Sequence, residues 1–141
     1  KIVMDARPEI LNHNVETVPR LFKTVQPQDN YEWAAATLSN AKKLDPDVLT
    51  KSGIMLGLGE TMDEVKAVMR DQRSWGADIL TIGQYLQPTR RNLPVAEYVT
   101  PAVFDSYRDH GLATGFKMVF SGPFVRSSYM ADVVSDEASR A

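Results

Sequence analysis

Short apolar segments alternate with amphipathic segments along this chain, and the alternation limits the fold more than any other feature. Residues 54–58, IMLGL, are apolar without the polar–apolar alternation of a strand that has one face in water. Such a run is typical of a strand covered on both faces in a parallel sheet. Thr61 follows closely and has Glu64 three positions later, which is the capping box that begins an α-helix. The pattern predicts a strand that leads directly into a helix.

The same strand–helix pair is repeated before and after this segment. In residues 31–44 the apolar side chains recur every three or four positions, and Thr100 with Pro101 begins a further helix with a cap and a proline at its first position. The order of strand, helix, strand, helix, strand, helix, strand predicts an α/β fold of parallel βαβ units. Spacing alone leaves open a small open sheet or one arc of a (β/α) barrel. The remaining predicted strands are residues 9–14, 78–86 and 117–121, and the predicted helix stops are Gly76 and Gly115.

Composition limits the class of partner. A chain of 141 residues, 43% of them hydrophobic, can bury a core and fits one domain, which we assign to residues 1–131 with a disordered tail at 132–141. The net charge of −2 comes from mixed signs, and no run approaches the ~18 apolar residues of a membrane span. We therefore predict neither a nucleic-acid partner nor a membrane partner.

The chain contains no cysteine. This excludes disulfides and removes the thiolates that most often hold zinc or iron–sulfur clusters. The sequence also starts at Lys1, without an initiator methionine or a signal-peptide pattern. We therefore expect it to be the C-terminal part of a longer protein.

Polar residues follow the predicted strands at the ends where parallel α/β proteins carry their chemistry. Asn14 and Glu16 follow the first strand, and Gln84 and Tyr85 end the third. Glu16 has the chemistry to bind a ribose diol or an ammonium group, although it also fits a cap of the following turn. Lys51 has the charge to meet a carboxylate, although a solvated lysine explains it equally well.

A glycine turn, residues 57–59, leads into the predicted helix N-terminus at Thr61. Free amides and the helix dipole favour an anion at such a point. A Gly-x-Gly sequence is also common in plain tight turns. A different α/β enzyme with an anion site at residues 57–60 is therefore one alternative.

Four stretches resemble the lipoyl synthases, which are radical S-adenosylmethionine enzymes. They are NHNVETV at 12–18, TKSGIMLGLGET at 50–61, DILTIGQYLQPTRRNLPV at 78–95 and SGPFVRSSY at 121–129. The resemblance runs from about Glu9 to Ala131, so it covers nearly the whole chain. Four motifs in family order are more specific than any one of them.

The resemblance implies a fold and a reaction. The fold is a partial, TIM-like (β/α) barrel of the radical S-adenosylmethionine type, of which this chain is the C-terminal part. One [4Fe–4S] cluster, held by three cysteines, cleaves S-adenosylmethionine to a 5′-deoxyadenosyl radical. A second [4Fe–4S] cluster, held by three other cysteines and a serine, is consumed as the sulfur source. The radical abstracts hydrogens from C6 and C8 of a protein-bound octanoyl-lysine, and sulfur insertion at both carbons makes the lipoyl cofactor.

The resemblance also implies roles for individual residues. Ser127 is the predicted cluster ligand, with Ser128 as the less favoured choice, because an alkoxide oxygen is easier to release than a thiolate. Arg126 supplies positive charge beside it, and Tyr129 anchors the segment. The strand GIMLGLGE is similar to the one that lines S-adenosylmethionine in this superfamily. The predicted cofactor contacts are Asn14, Glu16, Lys51, Gln84 and Tyr85.

The chain departs from the family pattern because it has none of the six cluster cysteines. We therefore do not expect activity from this chain alone. The alternative is a non-catalytic half barrel that binds S-adenosylmethionine or the carrier protein. The partners implied are an octanoylated lipoyl carrier protein (a lipoyl domain or glycine cleavage H protein), iron–sulfur delivery proteins and an electron donor. The implied location is the bacterial cytoplasm, or a mitochondrion or plastid in a eukaryote.

Overall fold

A computed structural model describes residues 10–22 and 31–125 and contains a four-stranded parallel sheet in the order β1-β2-β3-β4. No helix within these ranges is long and apolar enough to cross a membrane. The predicted order of elements is confirmed, whereas the proposed tail at residues 132–141 lies outside the described residues. The strands are β1 Ile10–Asn12, β2 Leu49–Leu56, β3 Ile79–Gln84 and β4 Met118–Ser121, and the helices are α1 Tyr31–Leu44, α2 Met62–Ser74 and α3 Pro101–Thr114.

Strand β2 is longer than its apolar run predicted, because it begins at Leu49. Its first half contains polar residues that are buried and hydrogen-bonded. Thr50 donates its hydroxyl hydrogen to the carbonyl of Gly76, and Ser52 Oγ accepts a hydrogen bond from Gln72 Nε2 at 2.9 Å. Polar side chains enter the strand here because partners on α2 and its C-terminal turn satisfy them.

The three helices pack on one face of the sheet. Even-numbered residues of β2 and β3 point to this face, because side chains alternate along a strand. They join one apolar core with residues of all three helices, and each fully buried member contributes about 1.5–3 kcal/mol. Its members include Leu38 of α1, Val65 and Met69 of α2, Phe104 of α3 and strand residues Ile54, Leu56, Leu80 and Ile82.

Gly111 lies inside α3, where glycine weakens a helix. A Cβ atom at this position would lie 2.8 Å from Cγ2 of Val119 on β4. The helix therefore carries a glycine because it packs closely against the last strand.

The opposite face of the sheet carries smaller and more polar residues. Lys51, Gly53 and Met55 of β2 lie beside Ile79, Thr81 and Gly83 of β3 in the parallel register. Helices on one face and strands in sequence order differ from a doubly wound sheet, which has helices on both faces and a reversal of strand order. The described sheet is thus α/β and consistent with a partial (β/α) barrel.

Candidate functional site

A cavity of about 370 Å³ opens at the carboxyl ends of the strands. Its volume falls in the range of small-molecule sites, roughly 300–1,000 Å³. It lies on the sheet face opposite the helices, and its polar lining comes from the residues after β1, from β3 and from the segment after β3. The polar lining residues are Asn14, Glu16, Thr81, Gln84 and Gln87.

Asn14 brings an acceptor to this cavity. Its Oδ1 atom is buried and has no hydrogen-bond partner among the described residues. A buried carbonyl oxygen without a partner costs about 1–3 kcal/mol, so such an atom requires an explanation. The predicted contact residue Asn14 therefore offers an acceptor to a ligand that carries an N–H or O–H group.

Glu16 has an unusual backbone conformation. Its φ of 78° lies in the left-handed region, which a residue other than glycine seldom adopts. The strand β2 holds the residue there, because the amide of Met55 donates to the carbonyl of Glu16 at 2.9 Å and Val15 donates to Gly53 at 3.0 Å. Strain of this kind clusters at functional sites, and here it occurs at a residue that lines the cavity.

Gly53 allows this close approach in the middle of β2. A Cβ atom there would lie 2.5 Å from Thr81 Oγ1 and 2.9 Å from Asn14 Oδ1. Sequence reasoning missed Gly53 and Thr81 as site residues. A glycine inside a strand was the available signal, since it marks a place where backbone or ligand approaches closely.

Gln84 lines the cavity, but hydrogen bonds to the following segment occupy its amide. Its Nε2 donates to the carbonyls of Tyr85 and Glu97, and its Oε1 accepts from the amide of Val99, all at 2.9 Å. Gln84 thereby fixes the course of the segment that contributes Gln87 to the cavity. The Gln84 side chain therefore shapes the cavity by holding this segment in place.

The structure does not bring Lys51 and Tyr85 to the cavity lining. Lys51 is 5% exposed and neighbours Asn12 and Ile79 in the sheet, and burial lowers the pKa of its ammonium group. The hydroxyl of Tyr85 donates to the carbonyl of Leu93 at 2.7 Å. Of the predicted contact residues, Asn14, Glu16 and Gln84 meet at the cavity.

The glycine turn before α2 has its own anion. The carboxylate of Glu60 accepts hydrogen bonds from the amides of Gly57 and Leu58, at 3.1 and 2.9 Å. The capping box of Thr61 and Glu64 is also present. The alternative of an anion site at residues 57–60 therefore loses the amides on which it depended.

Comparison with curated proteins gives many lipoyl synthases. The chain is 55% identical to the lipoyl synthase of Rubrobacter xylanophilus over 140 residues, which is 99% of this chain and 44% of that protein. It is 52% identical to that of Caldicellulosiruptor saccharolyticus over 92% of this chain and 46% of the relative. The chain belongs to the lipoyl synthase family. It spans less than half the length of these relatives, and no protein-family model matches it.

The residues at the cavity fit S-adenosylmethionine, a cofactor of the lipoyl synthase family. This ligand carries amino and hydroxyl hydrogens that need acceptors, and Asn14 Oδ1 and the Glu16 carboxylate supply acceptors at the cavity. Met55 and Leu86 add apolar surface. A site of this chemistry matches a ligand with a polar end and an aromatic base.

The iron–sulfur clusters of lipoyl synthases do not fit the side chains of this chain by themselves. The sequence has no cysteine, and the described ranges contain no group of three or more His, Cys, Asp or Glu residues that could hold a metal. The absence of cysteine is consistent with cluster ligands that lie outside this chain. The predicted ligand Ser127, with Arg126, Ser128 and Tyr129, lies outside the described residues.

Proposed function

We propose that this chain is the C-terminal part of a lipoyl synthase and that the cavity holds S-adenosylmethionine. The identity of 55% over nearly the whole chain supports the family assignment. The observation that carries the cofactor proposal is the unpaired buried acceptor of Asn14 at a strand-end cavity of suitable volume. A parallel sheet with helices on one face supports the further proposal of a partial radical S-adenosylmethionine barrel.

The chain's own residues bind and orient the cofactor. Asn14 Oδ1 accepts an N–H or O–H hydrogen of the ligand, and the Glu16 carboxylate binds its ammonium group or ribose diol. Gln84 and Tyr85 act through the segment that they hold beside the cavity. Lys51 stays a predicted contact without geometric support. The cofactor held by these residues would provide the radical chemistry of the proposed reaction.

The second cluster is assigned to the RSSY segment. We propose Ser127 as its oxygen ligand, with Ser128 less favoured, and Arg126 as a nearby positive charge. Val125, the residue before Arg126, lines the cavity, which supports a role for this part of the chain at the same site. The substrate is an octanoyl-lysine of a lipoyl carrier protein, the reaction inserts two sulfur atoms, and the proposed compartment is the bacterial cytoplasm.

Binding of S-adenosylmethionine tests the cofactor proposal. Titration calorimetry on the full chain is expected to detect binding that Asn14→Ala weakens about tenfold, the effect of one buried hydrogen bond. Asn40→Ala removes the same side chain from an exposed position of α1 and serves as the matched control. Equal affinities of the two variants would contradict the role of Asn14.

The cluster assignment needs a lipoyl synthase that carries both cysteine triplets. Ser127→Ala in that enzyme is expected to leave S-adenosylmethionine cleavage intact and to abolish lipoyl formation. The measurement is mass spectrometry of the carrier protein together with assay of 5′-deoxyadenosine. Normal lipoyl formation by the variant would refute the assignment.

A non-catalytic half barrel is the second candidate, because this chain lacks cysteine. Addition of the cysteine-containing part of a lipoyl synthase distinguishes the enzyme from the non-catalytic half barrel. Lipoyl formation by the reassembled protein favours the enzyme, and binding of S-adenosylmethionine without lipoyl formation favours the binding module.

A further inference from the structure

A second, smaller cavity lies on the helix side of the sheet. Its volume is about 170 Å³, against about 370 Å³ for the cavity described above. The N-terminal turn of α2, the segment before α3 and the first half of α3 line it, and it shares no lining residue with the larger cavity. It is below the usual volume of a cofactor site, so its size suits a single side chain. We call it the α2–α3 pocket.

Two carboxylates line the α2–α3 pocket. The amides of Gly57 and Leu58 hold Glu60 in one orientation. Glu97 is exposed and forms no ion pair within the described ranges. Arg20 lies near Glu60, but its guanidinium group donates to Glu64 and to the carbonyl of Gly59. The pocket is therefore acidic, with charge left for a cation.

Tyr107 provides a second and independent observation. The residue is 3% exposed and lines the pocket, and its hydroxyl has no hydrogen-bond partner among the described residues. Burial raises the pKa of Tyr107 to about 12, and the charges of Glu60 and Glu97 add to the effect. The hydroxyl is thus within electrostatic reach of both carboxylates. The hydroxyl can both donate and accept a hydrogen bond, so it is available to a group that enters the pocket.

The remaining lining is apolar and accessible. Met62 and Tyr98 are 45% and 70% exposed, and Val99 and Val103 are half-buried beside them. An apolar channel with acidic groups matches an alkyl chain that ends in a cation, and an aromatic ring adds cation–π attraction. Both oxygens of Glu60 already accept an amide hydrogen, which disfavours the bidentate geometry of arginine. A lysine ammonium group, which acts as a point charge, fits better.

We propose that the α2–α3 pocket binds a lysine side chain of a partner protein, with its ammonium group between Glu60, Glu97 and the Tyr107 hydroxyl. The site is separate from the cofactor cavity, and the proposal does not depend on the proposed function. It identifies the pocket as a docking point on the outer, helix-covered side of the sheet.

The test uses Nα-acetyl-lysine-N-methylamide as the probe and ¹⁵N–¹H spectra of the full chain as the readout. We expect saturable shifts of amides in residues 97–107 with a dissociation constant on the order of millimolar, as one charged contact provides. The Nε-acetylated probe, which has lost its charge, is expected to give no saturable shift. Absence of saturable shifts with the charged probe, or equal binding of the two probes, would overturn the proposal.

Variants assign the binding to the pocket. Glu97→Gln and Tyr107→Phe are each expected to raise the dissociation constant of the charged probe about three- to tenfold, because each removes one hydrogen bond or charge. Glu32→Gln, an exposed glutamate on α1, is the matched control and keeps the wild-type affinity. Glu97 is exposed, so its variant keeps the test decisive if Tyr107→Phe fails to fold. Unchanged affinity of Glu97→Gln would refute the assignment.

Discussion

The two faces of the same sheet differ in what their side chains do. On the helix-covered face, Ile54, Leu80 and Ile82 are at most 3% exposed and pack against the three helices. On the opposite face, Gly53 and Thr81 leave the space that becomes the larger cavity. Because side chains alternate along β2 and β3, one set of residues packs in the core and stabilises the fold. The residues between them face the cavity. Variants at neighbouring positions should therefore affect different measurements.

The largest effect is expected from truncation on the helix-covered face. Leu80→Ala removes a fully buried side chain and leaves a cavity, which should lower the free energy of unfolding by about 2–5 kcal/mol. Leu86→Ala, at a position 49% exposed in the binding cavity, is the matched control and should cost under about 1 kcal/mol. Urea denaturation measures both. Similar losses for the two leucines would contradict the division between the faces.

A smaller loss of stability and a complete loss of binding are expected at Gly53. Gly53→Val introduces atoms that collide with Thr81 and Asn14, and overpacking of this kind costs about 1–3 kcal/mol. The same atoms fill the cavity, so calorimetry should detect no S-adenosylmethionine binding. Gly122→Ala is the control, since its Cβ would lie at an ordinary 3.6 Å from Val125. Retained binding by Gly53→Val would show that the ligand lies elsewhere.

Alanine substitution of two polar residues on opposite faces of the sheet should change the free energy of unfolding in different directions. Ser52→Ala removes the acceptor of Gln72 Nε2 and should lower the free energy of unfolding by about 1–2 kcal/mol. Asn14→Ala removes an acceptor that has no partner among the described residues, so the unliganded chain should lose nothing and can gain up to about 1 kcal/mol. Thermal unfolding without ligand measures both values. A marked destabilisation by Asn14→Ala would contradict this view of its side chain.

The smallest effect is a pH dependence at the start of α2. Hydrogen bonds from Arg20 and from the Thr61 amide hold the pKa of Glu64 at about 2, below its ordinary 4.5. Because the folded-state pKa is the lower one, this stabilisation is complete above about pH 4.5 and is lost as the pH falls towards 2. The pair is exposed, so the effect should be smaller than those above.

Comparison of urea midpoints at pH 6 and pH 3 checks this dependence. Glu64→Gln should reduce the difference between the two midpoints, and Glu32→Gln serves as the control at an exposed position of α1. Binding of S-adenosylmethionine at pH 6 should be unaffected by either change, since neither residue lines the larger cavity. A loss of binding in Glu64→Gln would link the two faces.

The helices were predicted well because their signals are local in the sequence. The capping box at Thr61 and Glu64, the proline after Thr100 and the periodicity of residues 31–44 act within a few residues of each other, so the sequence contains the whole signal. The start of β2 was placed too late because Thr50 and Ser52 are polar. Their burial depends on Gly76 and Gln72, which are distant in sequence.

The candidate site was predictable only in part. Asn14, Glu16 and Gln84 were found because the ends of parallel strands converge. Tyr85 follows the same rule, but its hydroxyl donates to the carbonyl of Leu93. Lys51, a contact implied by the resemblance, is buried near the start of β2 and not at its carboxyl end. The rule identifies a strand end, whereas the direction and partners of a side chain depend on the neighbouring strands and loops.

The sequence by itself determined the order of helices and strands, the α/β class and the resemblance to the lipoyl synthases, because periodicity, caps and motifs are local properties. Only the tertiary structure decided which face of the sheet carries the larger cavity, that Glu60 occupies the amides of the glycine turn, and that Tyr107 lines a pocket together with two carboxylates. These features bring together residues from different βαβ units. Their distances follow from strand register and helix packing, which no short stretch of sequence contains.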